Sequence, residues 1–244
     1  MTEKKLTYFV SDVHLGAGCG RTPELESRFV SFLNSIPAEP TAALYLLGDI
    51  WDFWYEYKSV VPKGYVKVFA ALNALMENGV DVFFIPGNHD MWCYGYFEEM
   101  GVKILPQPHL AQLNGKTFCL GHGDSLGPVP AKDKMLGRLF RNRIARSLFS
   151  LLHPDAAFAL ARKWSEGSRH HHPSYKFGDR NEPLIEWASR YCEGKNIDYF
   201  IFGHYHCPAE TTLPSGAKLL VSDCWRETGT PHLLWDGESL TRHK

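Results

Sequence analysis

The 244-residue chain lacks several features that would place it in a specialised class of protein. No run of about 18 apolar residues is present, which argues against a membrane-spanning helix. The six cysteines show no C-x-x-C spacing, so the pattern predicts neither a zinc knuckle nor a redox pair. No apolar segment of signal-peptide length precedes Ser11. The sequence therefore predicts a soluble, cytoplasmic protein with free thiols.

The net charge of the chain is small, but its charged residues are unevenly distributed. The net charge is −1, and 22% of the residues are charged, an ordinary globular value. Residues 132–169, however, carry nine Lys or Arg against three Asp or Glu. Apolar residues step through this basic stretch at helical spacing, from Leu136 to Leu152. The pattern predicts one domain over 1–244 with a helical insertion, or cap, of two elements at about 132–168.

Outside the insertion, short apolar runs recur, and each ends in a polar or glycine-containing turn. These runs lie at 6–12, 43–49, 80–88, 116–124, 197–204 and 217–223, with helical patterns between them at 23–34, 65–78 and 182–193. Near-continuous apolar strands are typical of sheets that are covered on both faces. Their alternation with helices predicts an α/β layered fold.

Five of the predicted strand ends carry side chains that bind metals. The motifs, in order, are SDVHL (11–15), GDIWD (48–52), GNHD (87–90), GHGD (121–124) and GHYH (203–206). In open α/β sheets the chemistry gathers beyond the carboxyl ends of the strands, so these motifs should converge. Burying Asp49 beside so much apolar surface is costly unless a partner is present. Asp, His and Asn together suit Mn, Fe or Zn better than Ca.

The spacing within the motifs adds a geometric argument. Asp12-x-His14 and His204-x-His206 would each place two side chains on one side of an extended segment. Two such pairs, with Asp49 as a bridging carboxylate, can hold two cations about 3.5–4 Å apart. Taken singly, each motif is more simply a turn, a capping residue or a solvated histidine pair. Five of them in one chain favour a dinuclear site.

In this order the motifs resemble those of the calcineurin-like metallophosphoesterases, from residue 11 to residue 206. The resemblance implies a four-layer αββα sandwich and two divalent metal ions, with Mn expected and Fe or Zn as alternatives. On the matching positions, one metal would be held by Asp12, His14, Asp49 and His206, and the other by Asp49, Asn88, His122 and His204. His89 would act on the phosphoryl group or the leaving group, Asp90 would orient it, and Asp52 would lie behind the ligands.

Within that family, the tryptophan that follows Asp52 and the basic insertion after HGD resemble the UDP-2,3-diacylglucosamine hydrolases of lipid A biosynthesis. The resemblance implies hydrolysis of a pyrophosphate bond to give UMP and 2,3-diacylglucosamine 1-phosphate. It also implies substrate contacts in the region of Asp133, Ser165 and Lys176. The chain departs from the pattern at His89, where those hydrolases carry Arg.

The insertion bears on partners and location. Its arginines could attract a pyrophosphate or an anionic membrane, and its Leu and Phe residues could line an acyl groove or dock on a bilayer. The same apolar stripe is equally typical of a helix packed on a core. We expect a lipid-linked nucleotide sugar as substrate, peripheral binding to the cytoplasmic face of the inner membrane, and no nucleic acid. The alternatives are a soluble nucleotide or phosphoprotein substrate and a non-catalytic scaffold, which degenerate ligands would signal.

Overall fold

The computed structural model describes residues 5–17, 23–127, 135, 137–140, 142–171, 177, 182–225 and 229–244, with only the backbone described at 162 and 164–171. The six helices whose bounds follow are α1 (Pro23–Ser35), α2 (Val66–Glu77), α3 (Tyr96–Glu99), α4 (Arg143–Phe149), α5 (Pro154–His171) and α6 (Pro183–Tyr191). Asn142 caps α4, because its side-chain oxygen accepts the main-chain N–H groups of Ile144 and Ala145 at 2.9 and 3.1 Å. Pro154 and Pro183 each open a helix, where a missing N–H costs nothing.

Two sheets form the centre of the molecule. The strands are β1 (Leu6–Val10), β2 (Thr41–Leu46), β3 (Asp81–Phe84), β4 (Lys103–Ile104), β5 (His109–Leu113), β6 (Lys116–Leu120), β7 (Tyr199–Phe202), β8 (Ala209–Thr212), β9 (Lys218–Val221), β10 (His232–Trp235) and β11 (Leu240–His243). The first sheet has the order β11-β10-β1-β2-β3-β4 and the second β5-β6-β7-β9-β8. Strands β1 to β4 are mutually parallel, as are β6, β7 and β9, while β5, β8, β10 and β11 are antiparallel to their neighbours.

Side-chain alternation along each central strand fills two layers at once. In β1, Tyr8 and Val10 face the core beneath α1 and α2, whereas Phe9 faces the second sheet. Phe9 stacks on Phe118 of β6 with ring centroids 5.8 Å apart, which joins the two sheets. A third apolar cluster, including Leu184, lies between the second sheet and α6. The layers are therefore helix, sheet, sheet and helix, which confirms the predicted αββα class.

Within the predicted insertion, the described residues include a helical stretch at 137–140, followed by α4 and α5, which are separated by a short turn around His153. The second helix continues to His171, beyond the predicted end of the insertion at about 168. None of the helices in the described part of the chain combines the length and the hydropathy that crossing a bilayer requires.

Candidate metal centre

The five motifs follow the carboxyl ends of five strands, and the fold brings those ends to one place. Strands β1, β2 and β3 run parallel, so Asp12, Asp49 and Asn88 leave the first sheet at the same edge. Strands β6 and β7 are parallel in the second sheet and deliver His122 and His204 to the facing edge. Main-chain bonds link the resulting loops, such as the 2.9 Å bond from the His14 N–H to the Asp49 carbonyl. The site therefore bridges the two sheets.

The first group of donors comprises Asp12, His14, Asp49 and His206, whose ligand atoms all lie within 4.8 Å of one another. His14 Nε2 lies 2.9 Å from His206 Nε2, and His206 Nε2 lies 3.1 Å from Asp12 Oδ1. Two imidazole nitrogens this close can share at most one proton, so at least one of them presents a lone pair. Neutral imidazoles beside a fully buried carboxylate are what a divalent cation requires.

The second group comprises Asp49, His122 and His204. His122 Nε2 lies 3.3 Å from Asp49 Oδ2 and 3.2 Å from the side-chain oxygen of Asn88. Asp49 belongs to both groups and is, among the described residues, the carboxylate placed to bridge them. The residues present fit two divalent cations, because buried carboxylate oxygens and imidazole nitrogens converge from both sheets.

A hydrogen bond at one nitrogen of an imidazole ring determines which nitrogen faces the other donors of the centre. His122 Nδ1 lies 2.9 Å from the Leu47 carbonyl oxygen, which can only accept, so Nδ1 carries the proton and Nε2 is left facing Asp49. His89 Nδ1 donates in the same way to the carbonyl oxygen of Asp52 at 2.8 Å. The Asp52 carboxylate also lies 3.3 Å from His14 Nδ1. Asp52 therefore contacts two of the histidines, and with His14 and His89 it forms a further group of possible metal-binding atoms.

The structure corrects the expected role of Asp90. Its carboxylate accepts main-chain N–H groups from the two neighbouring loops. These bonds come from Gly87 at 2.7 Å, Ile50 at 2.8 Å, Asp49 at 3.2 Å and Trp51 at 3.3 Å. Asp52, rather than Asp90, holds His89. The prediction failed because the sequence neighbour of a histidine need not be its spatial neighbour in a tight turn.

The backbone at the donors is unusual. Asp12, His14, Asp49, His204 and His206 have φ angles of 54°, 53°, 52°, 71° and 52°. Left-handed backbone is disfavoured for residues with a Cβ atom and is retained where surrounding contacts enforce it. The spacing argument from strand alternation is therefore wrong in its geometry, because these residues are not extended. His204 and His206 point into different donor groups rather than forming one pair.

Glycines precede several donors because a side chain at these positions would collide with neighbouring ligands. A Cβ atom on Gly48 would lie 2.6 Å from His122 Nδ1, and Gly48 also has a φ of 82°. At Gly87 and Gly203 the φ angle is not left-handed, but a Cβ would collide with the carboxylates of Asp49 and Asp12 respectively. The absence of these side chains lets the ligands of one loop pack against the backbone of another.

The electrostatics follow from burial and mutual charge. Burial alone would raise the pKa of Asp12, but its hydrogen bond with His206 and the charge of that ring hold it below its ordinary value. Burial would likewise raise the pKa of Asp49, yet His122 and His89 hold it well below the ordinary value. Burial lowers the pKa of His204 to about 4. The centre thus combines ionised carboxylates with at least one neutral imidazole near pH 7.

Some predicted contacts fall elsewhere. Asp133 and Lys176 lie outside the described residues, and Ser165 lies on α5, where only the backbone is described. Trp51 and Trp54 are fully buried core residues. Gln107 was not predicted: its side-chain oxygen accepts the N–H groups of His122 and Gly123 at 2.8 and 3.0 Å. No local pattern marks a glutamine that acts on a loop 15 residues away.

Comparison with known proteins agrees with this geometry. A sequence model described as calcineurin-like phosphoesterase matches residues 6–208. The chain is similar to the UDP-2,3-diacylglucosamine hydrolase of Porphyromonas gingivalis (strain ATCC BAA-308 / W83), with 32% identity over 96% of this chain and 95% of that protein. It is also similar to the proteins of the same name from Stenotrophomonas maltophilia (strain K279a), 32% identical over 92% of each chain, and Xanthomonas axonopodis pv. citri (strain 306), 30% identical over 96% and 97%. The chain therefore belongs to the calcineurin-like phosphoesterase family and is a hydrolase.

Proposed function

We propose that the protein hydrolyses the pyrophosphate bond of UDP-2,3-diacylglucosamine to give UMP and 2,3-diacylglucosamine 1-phosphate, a step of lipid A biosynthesis. The observation that carries this proposal is the nearly full-length similarity to proteins of that name, 32% over 96% of the chain for one of them. The seven donors of the candidate metal centre support it, because each of the expected positions holds a side chain that can bind a metal.

The proposed cofactor is a pair of divalent cations, with Mn first among them. Asp12, His14 and His206 would hold one, Asn88, His122 and His204 the other, and Asp49 would bridge them. When bound, such a pair supplies a nucleophile from water at neutral pH and neutralises charge on the phosphoryl oxygens. The protein's own contribution is to fix these donors within buried, hydrogen-bonded loops before substrate arrives.

His89 is the proposed catalytic residue beside the metals. Its Nε2 lies 3.9 Å from Asp49 Oδ2, and its side chain is 20% exposed, so the ring borders the opening of the centre. Burial alone would lower the pKa of His89, but the charges of Asp49 and Asp52 raise it above the ordinary value. The protonated ring can then donate to a phosphoryl oxygen or to the departing group. With Nδ1 held by the Asp52 carbonyl oxygen, Nε2 would be the nitrogen that faces a bound phosphoryl group.

The insertion supports the proposed lipid substrate. Its aromatic side chains Phe140, Phe149 and Phe158 pack toward the core, against Trp92, Tyr55 and Phe53. Its aliphatic side chains point outward instead, with exposed fractions of 72% at Ile144, 62% at Leu148 and 80% at Leu151. Arg138, Arg143 and Lys163 of the insertion are also exposed. We propose that this apolar and basic surface rests on the cytoplasmic face of the inner membrane, where a diacylated substrate resides.

The direct test is hydrolysis by the purified full chain with Mn²⁺ in ¹⁸O-labelled water. Attack on the α-phosphorus predicts that UMP is released from UDP-2,3-diacylglucosamine and that it carries the label. UDP-glucose, which lacks the acyl chains, should be cleaved far more slowly. Equal cleavage of UDP-glucose would favour a soluble nucleotide substrate. A metal-loaded protein that cleaves neither compound would contradict the proposal.

A further inference from the structure

The insertion is fastened to a short two-stranded segment that also carries His89. Residues 52–56 lie beside residues 89–94, and we call this pair of segments the ribbon. Two main-chain hydrogen bonds of 3.1 Å join the two segments. One runs from the Trp54 N–H to the His89 carbonyl oxygen and the other from the Glu56 N–H to the Trp92 carbonyl oxygen. One end of the ribbon is held by the bond between His89 Nδ1 and the Asp52 carbonyl oxygen.

The other end of the ribbon binds the main chain of the insertion. The Tyr55 hydroxyl donates to the Arg146 carbonyl oxygen at 2.9 Å, and Trp92 Nε1 donates to the Phe140 carbonyl oxygen at 3.1 Å. Tyr55 is only 3% exposed, so little water competes for its hydroxyl. A donor that reaches a main-chain carbonyl fixes the position of the segment whatever side chains that segment carries. We call Tyr55 and Trp92 the clasp.

Ring contacts surround both hydrogen bonds. Phe149 packs on Tyr55 with centroids 4.9 Å apart, and the Arg146 guanidinium lies 4.2 Å from the centroid of the Tyr94 ring. The Arg146 side chain is therefore engaged with the ribbon, which sets it apart from the arginines expected to attract a pyrophosphate.

A buried carboxylate stiffens the ribbon at the clasp. Glu56 is 6% exposed and accepts the Trp54 indole N–H at 3.1 Å and the Tyr96 main-chain N–H at 3.2 Å. It also accepts the main-chain N–H of Tyr94. With these donors in place, the clasp cannot shift without moving the backbone that leads to His89.

We propose that Tyr55 and Trp92 are positioning residues that determine specificity: they set the insertion at a fixed place relative to His89 and the metal centre, so that the acylated part of the substrate and its phosphorus are held in register. This inference rests on the proposed function for the identity of the substrate. It adds that recognition of the acylated part depends on two donors that belong to the core and hydrogen-bond to main-chain carbonyl groups of the insertion.

The chain provides a matched pair of variants. Tyr55→Phe removes the clasp hydroxyl and keeps the ring. Tyr57→Phe removes a buried hydroxyl that has no hydrogen-bond partner among the described residues, two positions along the same segment. The rings of Tyr55 and Tyr57 are in contact, with centroids 4.8 Å apart, so both variants alter the same neighbourhood.

The measurement compares kcat/KM for UDP-2,3-diacylglucosamine with kcat/KM for bis(p-nitrophenyl) phosphate, which has no acyl chain. For Tyr55→Phe the ratio should fall about 3- to 10-fold, mainly through KM, as expected for one ordinary hydrogen bond. Trp92→Phe should change the ratio in the same direction, and Tyr57→Phe should leave it at the wild-type value. Equal losses on both substrates, or equal ratios for the two tyrosine variants, would overturn the inference.

Hydrogen exchange of the full chain separates this inference from the proposed function. Tyr55→Phe should speed exchange of amides in α4, whereas Tyr57→Phe should not. If the wild-type protein fails to cleave the diacylated substrate, the proposed function and the specificity role are both wrong. Faster exchange of α4 amides in Tyr55→Phe would then show only that the clasp holds the insertion in place. If the wild type cleaves it but α4 exchanges alike in both variants, the clasp itself is wrong.

Discussion

Asp49 and Asp90 each hold the loop that carries the other. The Asp90 carboxylate accepts the Asp49 main-chain N–H at 3.2 Å, and the Asp49 carboxylate accepts the His89 main-chain N–H at 2.9 Å. Both carboxylates are essentially inaccessible to solvent. The bridging position of Asp49 is therefore set by a residue that lies 41 positions away in the chain and need not touch a metal.

Asp90→Asn should reveal this positioning role. An amide in place of the carboxylate turns one acceptor oxygen into an N–H₂ donor that faces main-chain N–H groups. We expect a loss of about 1–3 kcal/mol in the free energy of unfolding, measured by urea denaturation, together with a fall in kcat. Asp81→Asn is the control, because its carboxylate is 58% exposed and pairs with Lys103 at the surface. Equal stability of the two variants would contradict the role.

Asp49→Asn tests the dinuclear centre itself. The variant removes the bridging charge but keeps the shape of the side chain, so the chain should fold. We expect elemental analysis after loading with Mn²⁺ to fall from about two ions per chain to one or none, with nearly all turnover lost. A variant that retains both ions and wild-type turnover would end the dinuclear proposal.

Gly203→Ala tests whether packing between loops is required for metal binding. The added methyl group would collide with the Asp12 carboxylate and the Ser11 side chain, both of which are buried. We expect metal affinity to fall by about 10- to 100-fold, measured by competition with a fluorescent chelator. Gly216→Ala separates this effect from backbone strain, since Gly216 has a φ of 89° but open space around it. That control should lose about 1 kcal/mol of stability and no metal.

The outward face of the insertion should bind anionic vesicles. Ile144→Ser combined with Leu151→Ser removes two exposed aliphatic side chains, and each should weaken partitioning by roughly tenfold. Flotation with phosphatidylglycerol vesicles measures the effect, and added salt should weaken the wild-type interaction further. Val66→Ser on α2 is the control, because Val66 is 73% exposed and lies outside the insertion. Equal flotation of all three proteins would contradict a membrane role for the insertion.

Asp198 should contribute stability that depends on pH. Burial alone would raise its pKa, but the Thr117 main-chain N–H and the Lys116 ammonium, both 2.9 Å away, lower it below the ordinary value. A lowered folded-state pKa gives stability that is present above the unfolded-chain pKa of about 3.9 and is lost as the pH falls through the folded value.

Asp198→Asn should therefore be less stable than the wild type by about 1 kcal/mol near pH 7, measured by urea denaturation. The difference should shrink as the pH falls below about 3.9. Asp155→Asn, whose side chain is 93% exposed, should track the wild type at every pH. A constant difference for Asp198→Asn across this range would show that its charge is not the cause.

The central strands of the fold could be predicted because their sequences are nearly all apolar and end in recognisable turns. The run at 43–49 overlaps β2, which begins two residues earlier at Thr41, and the run at 197–204 contains β7. Several short strands were missed, both inside the first sheet and at its edge. Strand β10 pairs with β1, more than 220 residues earlier, so its partner leaves no local signal in its four residues. Strand β4 has only two residues.

The candidate site was predictable in membership but not in detail. Residue type and order indicated which side chains gather, because metal chemistry restricts the choice to Asp, His and Asn. They could not indicate that Asp52 holds His89, or that Gln107 supports the loop of His122, because such contacts depend on the turns between elements. Nor could strand periodicity give the backbone torsion of His14, which tertiary contacts impose.

The five donor residues adopt a left-handed backbone that costs stability, and the same residues are the candidate metal ligands. Asparagine and glycine adopt that backbone more readily than histidine does, so a search for thermostable variants would gain most easily by replacing His14, His204 or His206. Each such gain would erase a ligand. Selecting variants of this protein by melting temperature alone would therefore favour stable proteins that have lost their metal ligands and their activity.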